Sequence, residues 1–94
     1  MIRLVAKRWL KEGVLEDYLA LARQLAEQTR QEAGCVDYAL CSGGDGLVAF
    51  LETWADQESL NAHAARLQAE NWGQRLNAFA DPDRPPLIEK YFEL

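Results

Sequence analysis

The chain has 94 residues, a charged fraction of 27% and a net charge of −5 at pH 7. A chain of this length builds one hydrophobic core, so we expect a single domain over residues 1–94. Phosphate binding requires a clustered excess of lysine and arginine, so the acidic balance argues against a nucleic-acid partner.

The apolar runs and the two cysteines indicate the environment of the protein. No apolar run approaches the roughly 18 residues that span a bilayer, and the opening residues lack a signal-peptide core. Cys35 and Cys41 would lie about 20 Å apart on one strand, too far for a disulfide. We therefore expect a cytoplasmic protein with free thiols and no membrane partner. Two cysteines and one histidine match no common zinc pattern, so no metal site is expected.

The first two predicted elements are a strand and a helix. Residues 2–10, IRLVAKRWL, are rich in β-branched and aromatic side chains, which favours a strand. Apolar residues then recur at helical spacing from Val14 to about Ala33. Gly34 tolerates left-handed geometry and is suited to ending this helix.

A hairpin follows, because CVDYALCS (35–42) and LVAFLETW (47–54) flank the turn sequence GGDG. The loop length decides which residues share a face of the sheet. A four-residue loop would place Asp37 opposite Glu52, a like-charge pair that costs energy.

A three-residue loop over residues 44–46 avoids that pair. Its last glycine would take the left-handed position of a bulge. This register places Tyr38 opposite Glu52 and Val36 opposite Trp54. We favour it over the four-residue loop.

The second half of the chain predicts a broken helix and a last strand. Asp56 is placed to cap a helix that begins near Gln57. The polar run from Gln68 to Asn71 predicts a kink or a break before Trp72. The sequence DPDRPP then forces an extended loop, and LIEKYFEL (87–94) is typical of a strand.

The predicted order β-α-β-β-α-β defines the fold class. Right-handed crossovers give the antiparallel sheet order 4-1-3-2 with both helices on one face, a ferredoxin-like α+β fold. The other face would carry Ala39, Cys41, Ala49 and Leu51. A small acidic protein would not leave such a face in water, so we expect a homodimer.

His63 is the first candidate for catalysis. It is the only histidine of the chain, and its ordinary pKa near neutrality suits a general acid or base. The alternative is a half-buried core residue, because His63 lies at helical spacing between Leu60 and Leu67.

Glu52 is the second candidate. It shares a strand face with Phe50 and Trp54, and an unpaired carboxylate among aromatic rings has a raised pKa. The alternative is a structural ion pair with a basic residue of the first strand, Lys7 or Arg8.

Aromatic side chains predict a flat pocket between the sheet and the second helix. A broken helix packs less tightly than a continuous one and leaves room for a cavity, although the same spacings also suit an ordinary core. The candidates are Tyr38, Phe50, Trp54, Trp72 and Phe79. No phosphate-binding loop or metal-binding helix motif is present, so no cofactor is expected.

Two segments resemble a known family. EAGCVDY (32–38) and LETWADQESLNAH (51–63) are similar to the motifs E-x-G-C/N-x-x-Y and E-x-W-x-D/S-x-x-x-L-x-x-H of the antibiotic biosynthesis monooxygenase domain family. With the opening IRLVAKRWLKEG the resemblance covers nearly the whole chain. It implies a dimeric α+β barrel. The family includes cofactor-free oxygenases of quinols and aromatic polyketides, haem-degrading enzymes and an isomerase-like enzyme.

The resemblance also implies roles for single residues. Trp54 matches the tryptophan near the substrate in polyketide-oxidising members, and His63 matches a frequent helix histidine. Phe50 stands where those members have asparagine, and Gln68 stands where quinol-oxidising relatives often have a second histidine. Lys7 and His63 replace the asparagine and tryptophan of the haem degraders, so haem degradation is not expected.

We therefore expect a cofactor-independent monooxygenase acting on a small aromatic or quinol-like compound. His63 would abstract the substrate proton, Glu52 or Tyr38 would orient the substrate, and Trp54 and Trp72 would stack on its ring. One alternative is a ligand-binding or stress-response protein without turnover. Another is an isomerase that uses the same proton-abstracting group.

Overall fold

The computed structural model describes residues 1–94 as four antiparallel strands and three helices. In chain order the elements are β1 (Ile2–Trp9), α1 (Leu15–Thr29), β2 (Cys35–Gly44), β3 (Leu47–Trp54), α2 (Gln57–Ala69), α3 (Trp72–Asn77) and β4 (Leu87–Phe92). The strands lie in the order β2-β3-β1-β4. This order confirms the predicted ferredoxin-like α+β fold. No helix is long and apolar enough to cross a membrane.

The β2–β3 hairpin has the predicted central register, with Tyr38 opposite Glu52. Its loop is one residue shorter than predicted, because Gly44 already pairs with Leu47. The turn residues Asp45 and Gly46 both have positive φ, at 52° and 82°. Two such residues match the twist of the strands in a two-residue turn. A bulge between Ser42 and Gly44 accommodates the extra residue.

The start of the hairpin departs from the predicted pairing. Trp54 lies opposite Cys35, and the prediction that it faces Val36 is wrong. A second register shift between Cys35 and Asp37 leaves Val36 unpaired, with 52% of its surface exposed. The bulge follows Gly34, whose φ of 81° turns the chain into the strand.

The chain between α1 and β2 turns more tightly than predicted. Helix α1 ends at Thr29 instead of near Ala33, and the turn reaches Gly34. A Cβ on Gly34 would lie 1.9 Å from Oγ of Ser59 in the first turn of α2. Glycine therefore allows the start of β2 to approach α2.

The second helical segment is broken, as predicted. Asp56 caps α2 by accepting a hydrogen bond from the Ser59 amide at 2.8 Å. Helix α2 ends at Ala69, and α3 begins at Trp72 after Asn71, which has a left-handed φ of 57°. The reversal at Asn71 separates the two helices.

The two faces of the sheet differ in burial. The face toward the helices carries the buried side chains of β3, Val48, Phe50, Glu52 and Trp54, within the core. We call the opposite side the open face. Its apolar residues, none of them buried, are Val5, Trp9, Ala39, Cys41, Leu47, Ala49, Leu51, Leu87 and Tyr91. The predicted residues therefore lie where the register placed them.

Candidate functional site

A cavity of about 480 Å³ lies between the helix-facing side of the sheet and helices α2 and α3. Its lining residues are Leu4, Ala6, Arg8, Leu25, Tyr38, Phe50, Glu52, Leu60, His63, Ala64, Leu67, Gln68, Asn71, Trp72, Gly73, Gln74, Leu76 and Ile88. Residues on both sides of the helix break contribute to this wall. The break therefore borders the cavity, as the sequence predicted.

A second groove of about 610 Å³ runs along α1 and the edge strand β2. Its charged side chains, Arg23, Glu27 and Arg30, are all exposed. The cavity under α2 instead contains three buried titratable groups, Tyr38, Glu52 and His63. Perturbed titratable groups in a cleft mark candidate sites, so we assign the site to this cavity.

His63 extends from α2 into this wall and is 3% exposed. Its Nδ1 lies 2.8 Å from Oε2 of Glu32. An ionised carboxylate only accepts hydrogen bonds, so Nδ1 carries the proton and Nε2 keeps its lone pair. Burial lowers the pKa of His63, and the hydrogen bond that its Nδ1 donates to Glu32 offsets part of that effect. The ring is therefore neutral near pH 7 and able to accept a proton.

Glu32 is a site residue that the sequence analysis did not identify. It follows α1, and Arg66 of α2 donates to its Oε1 from Nε at 3.1 Å. Arg66 also donates to Oγ1 of Thr29 at 3.0 Å. These bonds fix the carboxylate that orients His63. The only sequence signal was its place at the start of the EAGCVDY motif, 31 residues before the histidine.

Glu52 is 5% exposed, and its Oε1 accepts a hydrogen bond from Nε1 of Trp54 at 2.8 Å. Burial raises the pKa of Glu52 to about 7, although the Trp54 bond acts in the opposite direction. No basic residue pairs with it, so the predicted ion-pair alternative is wrong. Lys7 lies on the open face and pairs with Glu89 at 2.8 Å. Arg8 hydrogen-bonds to Asn77 at 2.8 Å.

Three predicted aromatic residues line the cavity, namely Tyr38, Phe50 and Trp72. The Tyr38 ring lies 4.9 Å from that of Phe50 and 5.5 Å from that of His63. Burial raises the pKa of Tyr38, so its hydroxyl stays neutral. Trp72 is held by a 2.9 Å hydrogen bond from Nε1 to Oε1 of Glu70.

Trp54 does not line the cavity, contrary to the prediction that it stacks on a substrate ring. It is completely buried behind the wall, and its ring centre lies 4.6 Å from that of His63. Trp54 therefore positions Glu52 and His63. Phe79 is also absent from the lining and packs edge-on against Tyr18 at 5.9 Å.

The arrangement combines a proton acceptor and a proton donor in one apolar cavity. Nε2 of His63 is free of protein hydrogen bonds, and Glu52 is partly protonated near pH 7. A base and an acid with pKa values near the working pH suit proton abstraction and return. No group of three or more histidine, cysteine, aspartate or glutamate side chains is placed to hold a metal ion.

Comparisons with known proteins place the chain in a family. No match was found among curated proteins. A conserved protein from Methanosarcina mazei is 28% identical, with a TM-score of 0.86 over 96% of this chain and 89% of that one. A solved antibiotic biosynthesis monooxygenase is 26% identical, with a TM-score of 0.87 over 100% and 99%. A protein from Shewanella oneidensis is 29% identical, with a TM-score of 0.81 over 96% and 87%. The sequence profile of the family Antibiotic biosynthesis monooxygenase matches residues 1–75, and the chain therefore belongs to this family.

Proposed function

We propose that the protein is a cofactor-independent monooxygenase acting on a small aromatic or quinol-like compound. The observation that carries the proposal is the Glu32–His63 pair, whose 2.8 Å bond leaves Nε2 of a neutral imidazole for a ligand in an apolar cavity. Membership of the family and its likeness to a solved antibiotic biosynthesis monooxygenase support the reaction type.

The reaction begins when Nε2 of His63 removes a proton from an acidic position of the substrate. The resulting carbanion reduces dioxygen and forms a carbon–oxygen bond. A protonated Glu52 then supplies a proton as the oxygen–oxygen bond breaks. Overall, a CH₂ group and O₂ give a carbonyl and water, with the substrate as reductant. The apolar wall limits access of water to the intermediate.

Oxygen uptake with a panel of quinols and hydroxyanthracenes tests the proposal. We expect uptake with at least one compound and a loss of about a hundredfold or more in His63→Gln, which keeps a hydrogen-bonding side chain but no proton-accepting nitrogen. Asn61→Ala is the control, because Asn61 lies on the same helix, is exposed and does not line the cavity. No uptake with the panel, or full activity in His63→Gln, would contradict the proposal.

An isomerase is the second candidate, favoured by the presence of Glu52 and His63 in one cavity. A base that takes a proton and an acid that returns it elsewhere are sufficient for isomerisation without oxygen. Exchange of substrate hydrogen with D₂O under anaerobic conditions occurs in both mechanisms. Oxygen consumption on admission of air occurs only in the monooxygenase. A ligand-binding protein without turnover would give neither signal.

A homodimer is the assembly that the open face supports. Nine apolar residues face away from the helices there, and the ion pairs beside them are Lys7 with Glu89 and Arg3 with Glu93. Contiguous apolar surface of this kind is normally covered by a partner, and identical copies most often pair about a twofold axis. In this assembly two sheets pack face to face, as in a dimeric α+β barrel.

A further inference from the structure

We propose that the cavity contains an anion subsite at Arg8, and that its ligands are fused-ring aromatic carboxylates whose reacting end lies near Glu52 and His63. The binding part of this inference stands alone. The assignment of the reacting end rests on the proposed function.

Arg8 is the only cationic side chain that lines the cavity. It is half-buried, and none of the ion pairs of the protein includes it. Its Nε donates to Oδ1 of Asn77 at 2.8 Å, and its Nη1 makes only a long 3.5 Å contact with the Tyr18 hydroxyl. A partly desolvated guanidinium without a carboxylate retains donors for an anion.

Arg66 provides a comparison with Arg8 within the same protein. It bonds to both Glu32 and Glu70, at 3.1 and 3.2 Å, and to Thr29. Its donors are therefore occupied by groups of the fold. Arg8 has neutral partners only, so no carboxylate of the chain pairs with its charge.

The strand register sets the length of the ligand. Arg8 lies opposite Val48, and Leu4 lies opposite Glu52, so four residues of β1 separate the two ends. This corresponds to about 13 Å along the strand. Between the ends, Ala6 and Phe50 face each other across β1 and β3 and provide an apolar floor.

A ligand that reaches both ends has a planar apolar body and a charged group at one end. Two fused aromatic rings with a carboxylate and an opposite hydroxyl measure about 9 Å between their outer oxygens, and a hydrogen bond of about 2.8 Å at each end extends this to about the separation along the strand. The fork of a guanidinium matches the two oxygens of a carboxylate. The cavity volume of about 480 Å³ lies within the range of small-molecule sites.

Anaerobic titration calorimetry with 6-hydroxy-2-naphthoate and its neutral amide tests the subsite. We expect the carboxylate to bind about tenfold or more tightly than the amide, and Arg8→Gln to abolish that preference. Arg8→Lys keeps the positive charge but lacks the two parallel donors of the guanidinium, so it should retain part of the preference for the carboxylate. Arg23→Gln is the control, because it removes the same charge from an exposed site outside the cavity.

Several results would overturn the subsite. Equal affinity for the carboxylate and the amide, absence of binding at millimolar concentration, or an equal loss in Arg23→Gln would each do so. Binding of 2-naphthyl phosphate without binding of the carboxylate would overturn the assignment of the anion. Thermal unfolding of Arg8→Gln confirms that the variant is folded.

The same variants separate this inference from the proposed function. His63→Gln should keep the preference for the carboxylate over the amide even though it loses turnover. Oxygen uptake that depends on His63 but ignores the charge of the ligand would leave the proposed function standing and remove the subsite. Carboxylate binding that depends on Arg8, without oxygen uptake, would support the subsite and contradict the proposed function.

Discussion

Glu52 changes the stability of the folded protein in a way that depends on pH. Its carboxyl is 5% exposed, and burial raises its pKa from 4.5 to about 7. The folded state therefore binds the proton more tightly than the unfolded chain between these values. Its contribution to stability is complete below about pH 4.5 and is lost as the pH rises to about 7, by roughly 3 kcal/mol.

Glu52→Gln should remove this dependence, because the amide stays neutral and its oxygen can still accept the Trp54 bond. We expect the variant to be more stable than the wild type by up to about 3 kcal/mol at about pH 8, and nearly equal to it at about pH 4.5. Urea unfolding at both pH values measures the difference. Glu27→Gln, on an exposed part of α1, is the control and should show neither effect. A Glu52→Gln variant that is less stable at the higher pH would contradict the raised pKa.

His63 titrates with the opposite consequence for stability. Burial lowers its pKa below the ordinary value of 6.5, so folding favours the neutral ring. The contribution of His63 to the stability of the folded state is complete above about pH 6.5 and decreases as the pH drops below that value. The Glu32 carboxylate limits the fall by raising the pKa of the ring.

Glu32→Gln should lower the pKa of His63 further and reduce kcat/KM by about tenfold to a hundredfold, because the imidazole loses its charged, orienting partner. The chain has one histidine, so a proton NMR titration follows a single ring. Glu70→Gln is a matched control for the pKa shift, since Glu70 also pairs with Arg66 but does not contact His63, and the amide oxygen can still accept the Trp72 bond. An equal shift of the His63 pKa in both variants would show that Glu32 acts through its negative charge alone and not through its hydrogen bond to the ring.

At the scale of elements, Gly34 lies where the start of β2 packs closely against the first turn of α2. Its φ is 81°, and an added Cβ would lie 2.4 Å from Cβ of Ser59. The serine side chain is too short to move away, so the backbone itself must shift. Gly13 has a φ of 80° with nothing within 4 Å of an added Cβ.

The two glycines separate conformational strain from steric conflict. Gly13→Ala should cost about 1 kcal/mol, the cost of a left-handed alanine. Gly34→Ala carries the same strain and also displaces α2, so we expect about 2 kcal/mol more. Urea unfolding of both variants checks the difference. Equal losses would mean that the contact with Ser59 is relieved at no cost.

The elements that the sequence predicted well depend on local rules. The Tyr38–Glu52 register is the one that avoids like-charge repulsion, and it holds although the turn has two residues, because the bulge between Ser42 and Gly44 supplies the offset. The Asp56 cap follows from neighbouring residues. The break before Trp72 is also a local signal. Each of these involves residues close in sequence or paired across one turn.

Other features depend on tertiary packing and were missed or misplaced. Glu32 contacts His63 across 31 residues, and no period in the sequence reports such a contact. Trp54 lies on the predicted face of the sheet, but its ring is completely buried and does not reach the cavity. Hydrophobic periodicity specifies the side of an element that is buried, and the packing of several elements then decides which buried residues reach a cavity.

At the scale of the whole molecule, the open face predicts the oligomeric state. Leu51 lies on this face and is 40% exposed in the single chain. If a second copy covers it, a charge at this position would be buried without a partner and would strongly oppose association. Light scattering at micromolar concentration should give twice 10.6 kDa for the wild type and 10.6 kDa for Leu51→Lys.

The control for this experiment is Leu15→Lys. Leu15 is 43% exposed but belongs to α1, away from the open face, so the same change should leave the dimer intact. A dimer also unfolds at a temperature that rises with protein concentration, because association stabilises only the folded state. That dependence should disappear in Leu51→Lys and persist in Leu15→Lys. A wild-type protein of 10.6 kDa would mean that the open face stays in water, and the face-to-face packing of two sheets would then have to be abandoned.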